Sequence, residues 1–109
     1  MAEFNDIIHQ PVRLQIMSAL VSLQSGEKAD FAYLKKLLDL TDGNLGAHLG
    51  KLEKAGYIKI EKIFIARKPR TFVNITGKGR DAFNNHISTL KGIIGSKRNR
   101  KHNTGRDNK

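Results

Sequence analysis

Ile8, Val12, Ile16, Leu20 and Leu23 recur at steps of three and four residues, with Met17 and Val21 widening the apolar stripe. This is the period of a helix with one buried face, so residues 6–24 are predicted to be helical. Pro11 lacks an N–H and clashes with preceding carbonyls, which suits a first turn; the main helix is expected to start near Gln10, with residues 6–9 as a separate turn. Ser25-Gly26-Glu27 supplies the stop, because glycine most easily takes the left-handed conformation that closes a helix. Asp30 is the expected N-cap of a short second helix, in which Phe31, Leu34, Leu37 and Leu38 face inward and Lys35 and Lys36 outward. After a turn at Asp39-Leu40, Thr41 caps a third helix over residues 41–56, with Leu45, Leu49 and Leu52 on its buried face and Gly56 at its end.

From Tyr57 to Ile65 the pattern changes. Ile58, Ile60, Ile63, Phe64 and Ile65 are too rich in β-branched and aromatic types for an exposed helix, and predict a strand. Its alternation slips between Ile60 and Ile63, which points to a bulge or a strand leaving the sheet edge. Ala66-Arg67-Lys68-Pro69-Arg70 reads as a turn, and Thr71, Val73 and Ile75 return as a second strand, making a hairpin with a basic tip. Thr76 caps a last helix over residues 77–95, where Phe83, Ile87, Leu90 and Ile94 follow a 4-3-4 spacing with Ile93 beside them. The fold class is therefore mainly α with a small β-hairpin: a three-helix bundle plus a hairpin, with an additional C-terminal helix. One domain is expected over residues 1–95, the size of a single modest core.

Composition sharpens this picture in three ways. Lys and Arg total 20 against 10 Asp and Glu, a formal net charge of +10, so an anionic polymer or surface is the first partner to consider. Residues 97–109 carry Lys97, Arg98, Arg100, Lys101, Arg106 and Lys109 against Asp107 alone, and so hold +5 of that +10. With nothing apolar after Gly95, residues 96–109 are expected to form a disordered basic tail. The absence of cysteine excludes disulfides, thiolate metal sites and thiol redox sensing. A soluble, unexported, cytoplasmic protein is expected, since no stretch approaches the ~20 apolar residues of a membrane span and no signal peptide opens the chain.

Three runs carry a family likeness: Gln10-Pro11-Val12-Arg13-Leu14, Leu40-Thr41-Asp42-Gly43-Asn44-Leu45, and His48-Leu49-Gly50-Lys51-Leu52-Glu53-Lys54-Ala55-Gly56-Tyr57-Ile58. Arg67-Lys68-Pro69-Arg70-Thr71 and Ile75-Thr76-Gly77-Lys78-Gly79-Arg80 extend it. Over residues 4–94 the sequence resembles the winged helix-turn-helix regulators related to the MarR and ArsR groups. The resemblance implies a DNA-binding transcriptional regulator, expected to be a repressor, with a recognition helix and a wing at residues 66–71. It also allows a small aromatic effector, which nothing in the sequence identifies.

The residues agree independently. If Leu45, Leu49 and Leu52 bury, the opposite arc presents Gly43, Asn44, Ala47, His48 and Lys51 below the Thr41 cap, mostly small or polar groups suited to the ~12 Å major groove. Asn44 can pair with adenine, His48 can donate to a base or phosphate, and Lys51 can reach guanine or the backbone. Arg67, Lys68 and Arg70 suit a wing at the minor groove. Phe83, Ile87, Leu90 and Ile94 are the expected interface of a homodimer. A solvated polar face is the plainer alternative for the arc and the basic tip, and burial against the first helix of the same chain is the alternative for the stripe.

No catalytic activity, cofactor or metal is expected. No carboxylate pair, Ser-His-Asp set or phosphate-cradling loop can be assembled, and Thr76-Gly77-Lys78-Gly79 lacks P-loop spacing. Asp81 and His86 do not reproduce the paired metal ligands of ArsR relatives, and His9, His48 and His102 are scattered in sequence. The serious rival is an RNA- or ribosome-associated winged helix; most of the seven Phe and Tyr residues occupy core-like positions, which disfavours base stacking.

Overall fold

A computed structural model of the protein describes residues 5–24 and 26–102, with side chains described within residues 5–95 of that range. Pro11 divides the first helical stretch as its chemistry requires: α1 spans Asp6–His9 and α2 spans Pro11–Val21. The Asn5 and Gln10 side chains cap the two segments by accepting from Ile7 and Ile8 N–H and from Arg13 N–H respectively. Helix α2 stops at Val21 with Ser22 as its C-cap, short of the Ser25-Gly26-Glu27 stop expected from the sequence. Gly26, at φ +89°, turns the loop that follows.

Asp30 and Thr41 act as the caps their positions predicted. Asp30 accepts from Ala32 N–H at the start of α3 (Phe31–Leu38), and Thr41 Oγ1 accepts from Asn44 N–H at the start of α4 (Asp42–Lys54). The left-handed Asp39, at φ 54°, closes α3 and turns the chain into α4. The core gathers Ile8, Ile16, Met17, Leu20, Leu34, Leu45, Leu49, Leu52, Ile58 and Val73. Leu37 departs from its expected place: it is 52% exposed.

The sheet is larger than the expected hairpin. Strand β1 (Ala29–Asp30) pairs with β3 (Lys68–Ile75), which pairs with β2 (Ile58–Ile65), all antiparallel in the order β1-β3-β2. The pairing of β2 with β3 runs unbroken from Ile58↔Ile75 to Ile65↔Lys68, so no bulge interrupts it. The alternation slips at Ile63 because the ribbon has left the core there and neither face is fully buried. Phe64 is 72% exposed and Ile65 48%. The turn is only Ala66-Arg67, at φ 51° and 67°, the two-residue turn that matches strand twist; Lys68, Pro69 and Arg70 belong to β3. Pro69 is tolerated because β1 pairs only with Phe72 and Val73, leaving the outer edge of β3 open.

Helix α5 (Gly77–His102) is anchored at its first turn. Thr76 Oγ1 donates to the Gly56 carbonyl and accepts from Gly79 N–H, and a Cβ on Gly79 would lie 2.1 Å from the Tyr57 carbonyl oxygen. Only glycine permits that approach, which fixes α5 against the α4–β2 junction. The helix continues through Gly95 to His102, past the end expected at residue 95, because Gly95 keeps helical dihedrals in place of a left-handed turn. The rest of the expected tail lies outside the described residues. Among the described residues, no helix is long and apolar enough to cross a membrane.

Candidate nucleic-acid interface

Helix α4 buries Leu45, Leu49 and Leu52 and exposes Asp42, Gly43, Asn44, Gly46, Ala47, Gly50 and Lys51 on its other side. Thr41 is exposed at its cap, and His48 is half-buried. Three glycines within one helix weaken it by up to ~1 kcal/mol each relative to alanine. Internal packing does not require them: a Cβ at Gly43, Gly46 or Gly50 meets no described atom within 4 Å, in contrast to Gly79. They leave a smooth, open surface between Asn44, Ala47 and Lys51.

His48 is tied inward. Its Nδ1 lies 3.3 Å from Nη1 of Arg13 on α2, and Arg13 Nε donates to the Ile7 carbonyl. Burial holds the His48 imidazole below the ordinary histidine pKa, and the nearby charges of Arg13 and Lys51 push in the same direction. Both effects favour the neutral imidazole.

The wing places Arg67 and Lys68 exposed at its tip. Arg70, expected to join them, sits further down β3, where it is ion-paired with Asp30 and lies 5.8 Å from the centre of the Phe72 ring. The guanidinium holds the Asp30 carboxyl below the usual carboxylate range. Lys35 pairs with Asp42 at 2.9 Å across the turn between α3 and α4.

Over residues 12–94 the sequence matches the protein family described as winged helix DNA-binding domain. The chain belongs to that family. It is 44% identical over 81 residues to an uncharacterised protein of Methanocaldococcus jannaschii, covering 74% of this chain and 85% of that one. A transcriptional regulator homologue from Pyrococcus horikoshii OT3 is similar in structure, with TM-score 0.76, 41% identity and coverage of 84% and 88% of the two chains. MepR of S. aureus, solved as a DNA complex, shares the fold at TM-score 0.67 and 15% identity, with 91% and 78% covered. The family match and these neighbours agree with the winged helix read from the sequence.

The winged helix brings the α4 residues onto one face and Arg67 and Lys68 to one tip, and draws Arg70 away to Asp30. It divides the α5 stripe. Phe83 is 9% exposed and belongs to the chain's own core, Ile87 and Leu90 are half-buried, and Ile94 is 53% exposed with Ile93 beside it at 39%. His9 and His86, far apart in sequence, meet at 3.2 Å between His9 Nδ1 and His86 Nε2. His86 Nδ1 also accepts from Asn5 N–H. The aromatic residues are less buried than the sequence implied: only Phe83 is buried among those described, while Tyr33 on α3 and Phe64 on the wing are exposed.

Arg13, which holds His48 from α2, is the residue of this cluster that sequence reasoning passed over. A signal was present: Arg13 precedes Ile16, Met17 and Leu20 at the three-, four- and seven-residue offsets of one helix face, a lone cation in line with three fully buried residues.

Proposed function

We propose that this winged helix is a sequence-specific double-stranded DNA-binding transcriptional regulator that acts as a homodimer. Helix α4 enters the major groove, with Gly43, Asn44, Ala47, His48 and Lys51 facing the bases and Thr41 near the backbone. Arg67 and Lys68 lie at the flanking minor groove, and Arg70 braces the wing they stand on. The observation that carries the reading is the open glycine-lined face of α4. Three glycines weaken a helix whose own packing leaves space for their side chains, and close approach of a duplex is the physical reason for them. The exposed end of the α5 stripe supports a second copy as its cover, since one such module reads too few base pairs for genomic specificity. Repression by occupying a promoter is the simplest outcome of such binding.

Selection of bound duplexes from a random pool, followed by gel-shift competition with RNA of the same sequence, tests the reading. A palindromic site should emerge, with half-sites about 34 Å apart on one side of the duplex. Enrichment of no motif, or preferential binding of the RNA, overturns it.

A further inference from the structure

We propose that Arg13 is a positioning residue of the DNA interface: it fixes the tautomer of His48, so that α4 presents an Nε2–H donor to an acceptor atom on a base edge. The inference rests on the reading that α4 enters the major groove. It begins from a constraint of valence. A guanidinium carries donors only and keeps its proton in proteins, so an Nη1 placed 3.3 Å from His48 Nδ1 needs a lone pair on that nitrogen. The imidazole proton must then sit on Nε2. Of the two ring nitrogens, one is committed inward as an acceptor and the other is left as a donor.

Arg13 is itself held in place. Its backbone N–H is donated to the Gln10 side chain that caps α2, and its Nε donates to the Ile7 carbonyl. The guanidinium thus bridges α1, through the Ile7 carbonyl, and the half-buried His48 of α4. A side chain fixed in this way sets the ring plane and the tautomer of its partner, the role a second hydrogen bond plays at metal-bound or catalytic histidines. Charging His48 would remove its acceptor nitrogen and set a second cation against Arg13, with Lys51 close on the same helix; burial opposes the same step.

A neutral donor has a defined set of complements in the major groove: N7 and O6 of guanine, N7 of adenine and O4 of thymine. Phosphate oxygens accept as well, but attract cations more strongly, and Lys51 and the wing supply those. His48 is therefore assigned to a base-edge acceptor, and Arg13 to the specificity of that contact without touching DNA.

Two measurements test this. Long-range nitrogen–proton NMR of the histidine-labelled free protein reports the tautomer directly; wild type should show His48 with its proton on Nε2, and Arg13→Met should show a mixture. Binding to the selected duplex and to duplexes substituted at each base pair should show Arg13→Met losing part of the discrimination at the pair opposite His48 that His48→Ala loses whole, in proportion to the fraction of the wrong tautomer. Arg13→Lys, which keeps one donor, should recover part of both. His48→Ala should cost less at that pair in the Arg13→Met background than in wild type, since both act on the same hydrogen bond to the base.

A proton on His48 Nδ1 in the free wild type overturns the proposal, and that measurement needs no variant to fold. So does unchanged discrimination in Arg13→Met, or a weakening spread evenly over all sequences, which would make His48 a phosphate ligand. A wild-type chain that selects no duplex site removes the base-edge role together with the reading beneath it, while the tautomer still reports separately on the bond between Arg13 and His48.

Discussion

Arg70 on the wing is ion-paired with Asp30, the residue that also caps α3, so one carboxylate joins the first helix of the helix-turn-helix to the root of the hairpin. Asp30→Asn keeps the cap and loses the ion pair, and should cost at most about 1 kcal/mol, because the Arg70 side chain is 47% exposed. Asp30→Ala loses both and should cost about 1 kcal/mol more. The Asp30 pKa is lowered in the folded state by Arg70, so its contribution is full above the ordinary carboxylate range and fades as pH falls through it. Urea unfolding of both variants at neutral and acidic pH checks the order and the sign.

His86 predicts a second, separate pH dependence. It is 1% exposed, and burial first, then His9, hold its pKa below the ordinary histidine value. The folded chain binds that proton less readily than the unfolded chain does. Stability is therefore full above about pH 6.5 and declines as pH falls from there toward the lowered value. Thermal melts between about pH 8 and pH 5 should show this decline in wild type and a shallower one in His86→Gln.

Gly46→Ala separates packing from recognition. The position is helical with open space around it, so alanine should stabilise the fold by about 0.4–1 kcal/mol. If a duplex approaches this face closely, the same change weakens operator binding. A variant that is both more stable and binds as well as wild type would show that the glycine face meets nothing.

Base reading and charge attraction should separate by mutation. Asn44→Ala should relax preference at particular base pairs by about 1–3 kcal/mol, whereas Arg67→Ala should weaken binding broadly or on A-T flanks. Truncation of residues 96–109, with their six Lys and Arg, should flatten the salt dependence of binding, by about 0.9 in log-log slope for each phosphate that the tail neutralises. Titrations at several salt concentrations against preferred and scrambled sites decide both.

Leu90→Glu tests the homodimer. Leu90 is half-buried between the core-facing Phe83 and the exposed Ile94, so a carboxylate there can reach water in a monomer but is trapped across a symmetric seam. Sedimentation should show a folded monomer with much weaker operator binding. An unfolded variant, or a wild type already monomeric at micromolar concentration, would put the dimer joint elsewhere.

Local chemistry made much of this molecule legible in advance. Asp30, Thr41 and Thr76 cap helices where their side chains reach the next exposed N–H groups, and Pro11 splits α1 from α2 because its ring forbids anything else. The helical rhythm of Leu45, Leu49 and Leu52 orients α4 without reference to the rest of the chain. These outcomes depend on atoms a few residues apart, and such interactions are written in sequence.

Tertiary structure decided what depends on distant partners. Arg70 read as part of the basic turn, and the fold sets it within β3, ion-paired with Asp30 40 residues away. His9 looked like one of several scattered histidines until α5 packed on α1 and set His86 against it. The apparent bulge in β2 came from where the core ends, since a strand keeps its alternation only while one face is buried. The stripe of α5 read as one seam, yet Gly79 docks the helix so that Phe83 falls inside the core and Ile94 outside. His48 shows the division most sharply: the sequence placed it on the exposed arc, but which of its nitrogens faces outward was set by Arg13, a residue 35 positions earlier.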